Sequence, residues 1–105
     1  MEETYAVVNT TIGTEAQAVA LARSIVEARL AGCVQMRPIH SVYRWQGEVR
    51  TGPEWLLTIK TAERRYTELE RHIQANHPYE TPEIVRLTIA GGSRQYLDWI
   101  DECVG

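Results

Sequence analysis

Cys33-Val34-Gln35-Met36-Arg37-Pro38-Ile39-His40-Ser41-Val42-Tyr43-Arg44-Trp45, followed by Gln46-Gly47 and a return from Glu48 through Trp55-Leu56-Leu57-Thr58-Ile59-Lys60, is the stretch that decides the fold. Gln46-Gly47 puts glycine where a two-residue hairpin turn needs positive φ, so the two extended arms fold back on each other. In the first arm Ile39, Ser41, Tyr43 and Trp45 point to one side and His40, Val42 and Arg44 to the other, and neither side is cleanly polar. Both faces need cover. Pro38 lacks a ladder donor and predicts a bulge or an edge position, and Gly52-Pro53 predicts a second bulge in the return arm. Each arm runs about thirteen residues, against a usual five or six, which carries the hairpin beyond the sheet that one small domain builds. Exposed edges and aromatic residues on such arms predict pairing between copies, hence a homo-oligomer.

Upstream, Tyr5 to Thr10 reads as a strand buried on both faces, with Asn9 and Thr10 satisfied by nearby backbone. Thr14-x-x-Gln17 is a capping box opening a helix over Glu15 to Ala31. Ala18, Leu21, Ala22, Ile25, Val26 and Leu30 form its apolar stripe, and Gly32 is the expected left-handed stop. Downstream, Thr61 is the expected N-cap of a second helix whose packed face is Tyr66, Leu69, Ile73 and Asn76, and Asn76-His77-Pro78 ends it. Ile84 to Ile89 is a fourth strand. Ser93 caps a third helix with the stripe Tyr96, Leu97, Ile100 and Val104, and Trp99 on its flank. The order β-α-β-β-α-β plus a last helix is the split arrangement of an α+β, ferredoxin-like sandwich. Right-handed crossings put both long helices on one face of an antiparallel sheet, leaving the other to the last helix and to subunit contacts.

With 105 residues, 44% of them hydrophobic, residues 1–105 make one domain with a modest core. A net charge of −3 and a single lysine, Lys60, exclude the basic field that nucleic-acid binding requires. No apolar run approaches the roughly 20 residues of a membrane span. Met1-Glu2-Glu3 lacks the basic start of a secretory signal, so a cytoplasmic location is expected. Cys33 and Cys103 form no spaced framework, and both thiols are expected free in a reducing compartment.

The chemistry concentrates in His77-Pro78-Tyr79-Glu80-Thr81-Pro82-Glu83. Two prolines stiffen this loop and push His77 and Thr81 towards extended geometry, which suits binding because little entropy is lost when a ligand arrives. One reading is a pocket in which Lys60 and His77 hold an anion between Trp45 and Tyr79, with Glu80 and Glu83 beside them. Alternatively, those glutamates pair with Lys60 or Arg86 and lock the assembly. A metal reading centres on His77, with His72, Cys33, Glu80 or Glu83 as helpers, although His72 and His77 lack the i, i+4 spacing that aims two imidazoles at one ion. Cys33 with His40 or His77 falls into no nucleophile motif, Cys33 is expected buried at a strand start, and no catalytic residue is assigned.

Ala31-Gly32-Cys33-Val34, Ser41-Val42-Tyr43-Arg44-Trp45-Gln46-Gly47-Glu48, Ile59-Lys60-Thr61, His77-Pro78-Tyr79-Glu80-Thr81-Pro82-Glu83 and Tyr96-Leu97-Asp98-Trp99, in this order over nearly the whole chain, resemble the CutA family of divalent-cation tolerance proteins. The resemblance implies a ferredoxin-like protomer in a tight homotrimer with hairpins pairing across subunits, similar in assembly to PII-type signalling proteins. It implies no enzyme activity and no required cofactor, and it names copper or another divalent cation as the bound ion. The family's proposed copper ligands are a cysteine at the end of the first strand and two adjacent histidines before the proline. Here Thr10 and Asn76 stand at two of those places and His77 at the third. Two alternatives remain: a PII-like trimer that senses a small ligand, and a structural trimer that anchors another protein of unknown identity.

Overall fold

The computed structural model describes residues 3–105. Met1 and Glu2, part of the acidic start read against a leader, lie outside the described residues. The elements are β1 (Tyr5–Ile12), α1 (Glu15–Glu27), β2 (Cys33–Trp45), β3 (Glu48–Ala62), a 3-10 turn (Glu63–Arg65), α2 (Tyr66–Asn76), β4 (Val85–Ile89) and α3 (Arg94–Val104). The strands form one antiparallel sheet in the order β2-β3-β1-β4, the ferredoxin-like arrangement.

Register decides what each face carries. Val8, Thr10 and Ile12 of β1 lie opposite Ile59, Leu57 and Trp55 of β3. This face meets Leu21, Ala22 and Ile25 of α1 and Leu69 and Ile73 of α2 in the main core. The intervening residues Tyr5, Val7, Asn9 and Thr11 point to the second face. There α3 covers only one end, packing Ile100 and Val104 on Tyr5 and Ala62. Beyond it, Val85 and Leu87 of β4, beside Asn9 and Val7, remain 45% and 52% exposed. Half of the second face is thus uncovered by the chain's own helices. Fifteen residues of β3 extend roughly 50 Å at strand rise, which accounts for the 46 Å long axis of a molecule only 25 Å and 22 Å across.

Several local expectations are corrected. The Thr14 cap forms, with the Gln17 amide donating to its Oγ1 at 3.1 Å, but α1 stops at Glu27 rather than Ala31. The Arg29 amide donates to the Val26 carbonyl at 3.0 Å and the Leu30 amide to the Ile25 carbonyl at 3.1 Å, a Schellman closure. Its left-handed residue is Arg29, with φ 60°, not Gly32. Gly32 is where α3 comes close: a Cβ there would lie 3.3 Å from the Ile100 Cα. Thr61 caps nothing. It is buried at the end of β3, where its hydroxyl donates to the Leu30 carbonyl at 2.7 Å, and α2 begins after the 3-10 turn with no side-chain cap. Neither arm bulges, because the pairing runs unbroken from Cys33↔Lys60 to Trp45↔Glu48. Pro38 is accommodated on the edge strand β2. Pro53 sits where β1, which reaches only to Trp55, leaves one side of β3 unpaired. Thr10 is fully buried, yet among the described residues its Oγ1 finds no partner, contrary to the backbone bond expected of it.

Candidate functional site

The loop after α2 is held by the ring of His77. Before Pro78 the residue is extended, φ −103° and ψ 136°, which turns its imidazole back towards the end of β1. Nε2 lies 2.7 Å from the Thr11 carbonyl, and Nδ1 lies 3.1 Å from the Tyr79 amide, which donates to it. A carbonyl on one nitrogen and an N–H on the other fix the neutral tautomer with the proton on Nε2. The Tyr79 ring meets His77 edge-on at 4.7 Å, and its hydroxyl donates to Glu54 Oε2 at 3.0 Å. Burial, and then the Glu54 carboxylate, push the phenol up to about 12. The loop is therefore tied both to β1 and to the hairpin.

Between hairpin and loop runs a groove of about 700 Å³. Ser41, Tyr43, Trp45, Arg50 and Glu54 line it from the hairpin, and Tyr79, Glu80, Thr81 and Glu83 from the loop. The groove brings together Trp45, Tyr79, Glu80 and Glu83, four of the residues singled out from the sequence. Lys60 is elsewhere. It pairs with Cys33 and Val7, and its Nζ lies over the Tyr96 ring at 5.6 Å. The positive charge of the groove comes from Arg44 and Arg50 instead. Strand alternation holds the signal for Arg50: it pairs with Tyr43, so both share the face read from the first arm. Arg86 does not join the loop glutamates. It lies over the Tyr66 ring at 4.8 Å and approaches Glu63 at 3.8 Å.

The metal candidates are dispersed. His72 Nε2 lies 2.8 Å from Ser24 Oγ, and because that hydroxyl donates to the Leu21 carbonyl at 2.8 Å, the imidazole N–H is the donor. Cys33, partly rather than fully buried, lies at the end of β2 remote from the turn. Seven residues along the strand separate it from His40, roughly 23 Å at strand rise, which excludes a thiol–imidazole dyad between them. Among the described residues no three His, Cys, Asp or Glu side chains converge. With both His77 nitrogens already bonded, the residues present do not fit an imidazole–thiolate copper centre.

A β2-β3-β1-β4 antiparallel sheet backed by two helices, flanked by a third and extended by a hairpin that outreaches it defines a ferredoxin-like α+β protein with a groove between the hairpin's turn-side half and the loop after α2. Residues 6–103 match the family model described as CutA1 divalent ion tolerance protein, and the chain belongs to that family. It is 47% identical over 106 residues, covering 100% of both chains, to the divalent-cation tolerance protein CutA of Thermus thermophilus. It is 48% identical over 81 residues to the chloroplastic protein CutA of Arabidopsis thaliana, covering 76% of this chain and 44% of that one. The structure of the periplasmic divalent cation tolerance protein CutA from Archaeoglobus fulgidus superposes with a TM-score of 0.94 at 32% identity, over 96% of this chain and 99% of the other. The family is defined by ion tolerance rather than by a catalysed reaction. No helix among the described residues is long and apolar enough to cross a membrane.

Proposed function

We propose that this chain serves divalent-cation tolerance as a cytoplasmic, non-catalytic homotrimer of PII-like design. The observation that carries the reading is apolar surface left open on a well-packed protomer: Val42 and Val49 on the hairpin are 71% and 64% exposed, and the Val85–Leu87 face of β4 lacks cover. The sheet also ends in two different free edges, β2 and β4. Pairing one edge with the other on the next copy is a head-to-tail contact, which closes into a ring of three when successive copies are turned by a third of a revolution. Two free thiols are in keeping with a reducing compartment. Light scattering on the purified protein is expected to give three times the protomer mass of 12.0 kDa. A monomer at micromolar concentration would sink the proposal.

Copper or another divalent cation enters this reading as an effector rather than as a cofactor of the fold. Support comes from the His77 ring, whose nitrogens are committed to Thr11 and Tyr79. Calorimetric titration with copper(II), zinc(II) and nickel(II) is expected to show weak binding of all three, unchanged by His77→Ala. Saturable copper binding at a fixed ratio per protomer, lost in that variant, would restore His77 as a ligand. The groove favours a second reading, in which the trimer senses a small molecule.

A further inference from the structure

On the helical side of the sheet, away from the face left to contacts between copies, the start of α1 and the end of α2 leave a cleft of about 440 Å³ between them. Ile12, Ala20, Leu21, Ala75 and Pro78 give it apolar walls. Two of these, Ile12 and Leu21, belong to the main core, so packing holds that part of the cleft in place. Gln17 and Asn76 add one polar side chain from each helix. Among the described residues no charged side chain lines the cleft, and His77, which also lines it, is held as the neutral tautomer.

The two amides are turned in opposite senses by the bonds they already make. A carbonyl only accepts, so the atom that Asn76 gives to the His72 carbonyl at 2.8 Å is Nδ2, and Oδ1 is left over. Gln17 receives the Thr14 hydroxyl on Oε1 at 3.1 Å, while that hydroxyl accepts from the Gln17 backbone amide, so Nε2 is left over. Among the described residues neither spare atom has a partner. Ser24 does not compete for a ligand, because its hydroxyl is spent between the Leu21 carbonyl and His72. The cleft therefore offers one donor and one acceptor beside apolar walls, the pattern of a small-molecule site. At this end of α2 the family's copper set has two adjacent imidazoles. Here the first place holds the Asn76 amide and the second a ring with both nitrogens committed, so neutral hydrogen bonding replaces metal chemistry. We propose that the cleft binds a neutral amide, whose carbonyl accepts from Gln17 Nε2, whose N–H donates to Asn76 Oδ1 and whose apolar body lies against Ala20, Leu21 and Pro78. A carboxylate in its place brings no proton to Asn76 Oδ1, and neither does an ester. The site is separate from the groove between hairpin and loop, and the trimer and the metal titrations stand or fall independently of it.

The test uses benzamide as probe, with benzoate and methyl benzoate as controls that lack the N–H, titrated into the intact protein and followed by residue-resolved amide NMR shifts. Saturable shifts at Ala20, Leu21, Ala75 and Asn76 are expected, with benzamide bound about tenfold more tightly than either control. Gln17→Glu keeps the Thr14 contact and the capping box but turns the spare donor into an acceptor, so it is expected to abolish binding while the melting temperature holds. Asn76→Ala is expected to bring benzamide down to the affinity of methyl benzoate, whose own binding it leaves unchanged. Ala20→Trp, at an exposed position, fills the cleft and is expected to block the probe with the oligomer mass constant. Absent or unsaturable shifts, equal affinity for the three compounds, or undiminished binding to Gln17→Glu or Ala20→Trp would overturn the proposal. So would a fall in mass on Ala20→Trp, because it would assign the cleft to a contact between copies.

Discussion

Thr10 holds a hydroxyl in the core with nothing to bond, since its Oγ1 is buried and unpartnered. A buried unsatisfied donor costs about 1–3 kcal/mol, so Thr10→Val, which keeps the branched shape, is expected to stabilise the fold by about 1 kcal/mol. That corresponds to a rise of about 4–8 °C in a thermal melt, and a fall would mean that the hydroxyl has a partner. Tyr79 predicts the alkaline behaviour. Its phenol ionises at about 12 in the folded protein against 10.0 for the free group, so below pH 10 its contribution to stability is complete. Between pH 10 and 12 the unfolded chain loses the proton first, and that contribution declines. Tyr79→Phe is expected to flatten this decline and to remove one late-titrating phenolate from an ultraviolet titration; an unchanged titration would contradict the Glu54 contact. Tyr5 and Tyr66, also raised, supply the slope that remains. At this scale the sequence marks His77 and Tyr79 as site residues because Pro78 stands between them and Pro82 closes the same short loop. It does not show that Thr11, 66 residues away from His77, consumes the imidazole, because that depends on where β1 ends in space.

The hairpin is legible element by element because every signal in it is local: Gln46 and Gly47 take φ values of 51° and 80°, and alternation alone sorts the arms. The end of α1 is less legible. A glycine three residues beyond an arginine is the expected left-handed stop, but Arg29 takes that conformation, with its guanidinium donating to the Glu102 carbonyl at 3.2 Å. Gly32 is needed instead for helix–backbone proximity, which only the docking of α3 reveals. The two roles predict opposite outcomes for paired substitutions. Arg29→Gly relieves roughly 1–2 kcal/mol of left-handed strain, partly offset by glycine's entropy and the lost bond, for an expected net gain of about 0.5 kcal/mol. Gly32→Ala pushes a methyl against Ile100 and Trp99 and is expected to lose about 1–3 kcal/mol. Chemical denaturation reads both, and a loss in both variants would mean that Arg29 is not strained. Pro38 takes the edge position expected of it as the alternative to a bulge, whereas the bulge expected at Gly52-Pro53 failed for a related reason: whether a strand tolerates proline depends on which side of it is paired, and β1 stops short of Pro53.

For the whole molecule, the hairpin that is too long for its sheet and the sheet face that α3 only half covers make the same demand, and the sequence announced both, though not which residues the second face leaves open. The second needed the register, because Leu87 reads as a core residue until its pairing with Val7 puts it on the uncovered face. Leu87→Glu tests whether that face is an interface. At 52% exposure the protomer loses little by the change, but within an assembly each copy would bury an unpaired carboxylate at a cost of several kcal/mol, so the mass is expected to fall to that of a folded monomer. Val19→Glu is the matched control: it is 41% exposed on the outer side of α1, where no contact between copies is expected, and its mass should remain unchanged. If Val19→Glu dissociated the protein and Leu87→Glu did not, assembly would run through the helical layer. The groove would then be a feature of the single chain, because the hairpin would no longer have a neighbour to reach.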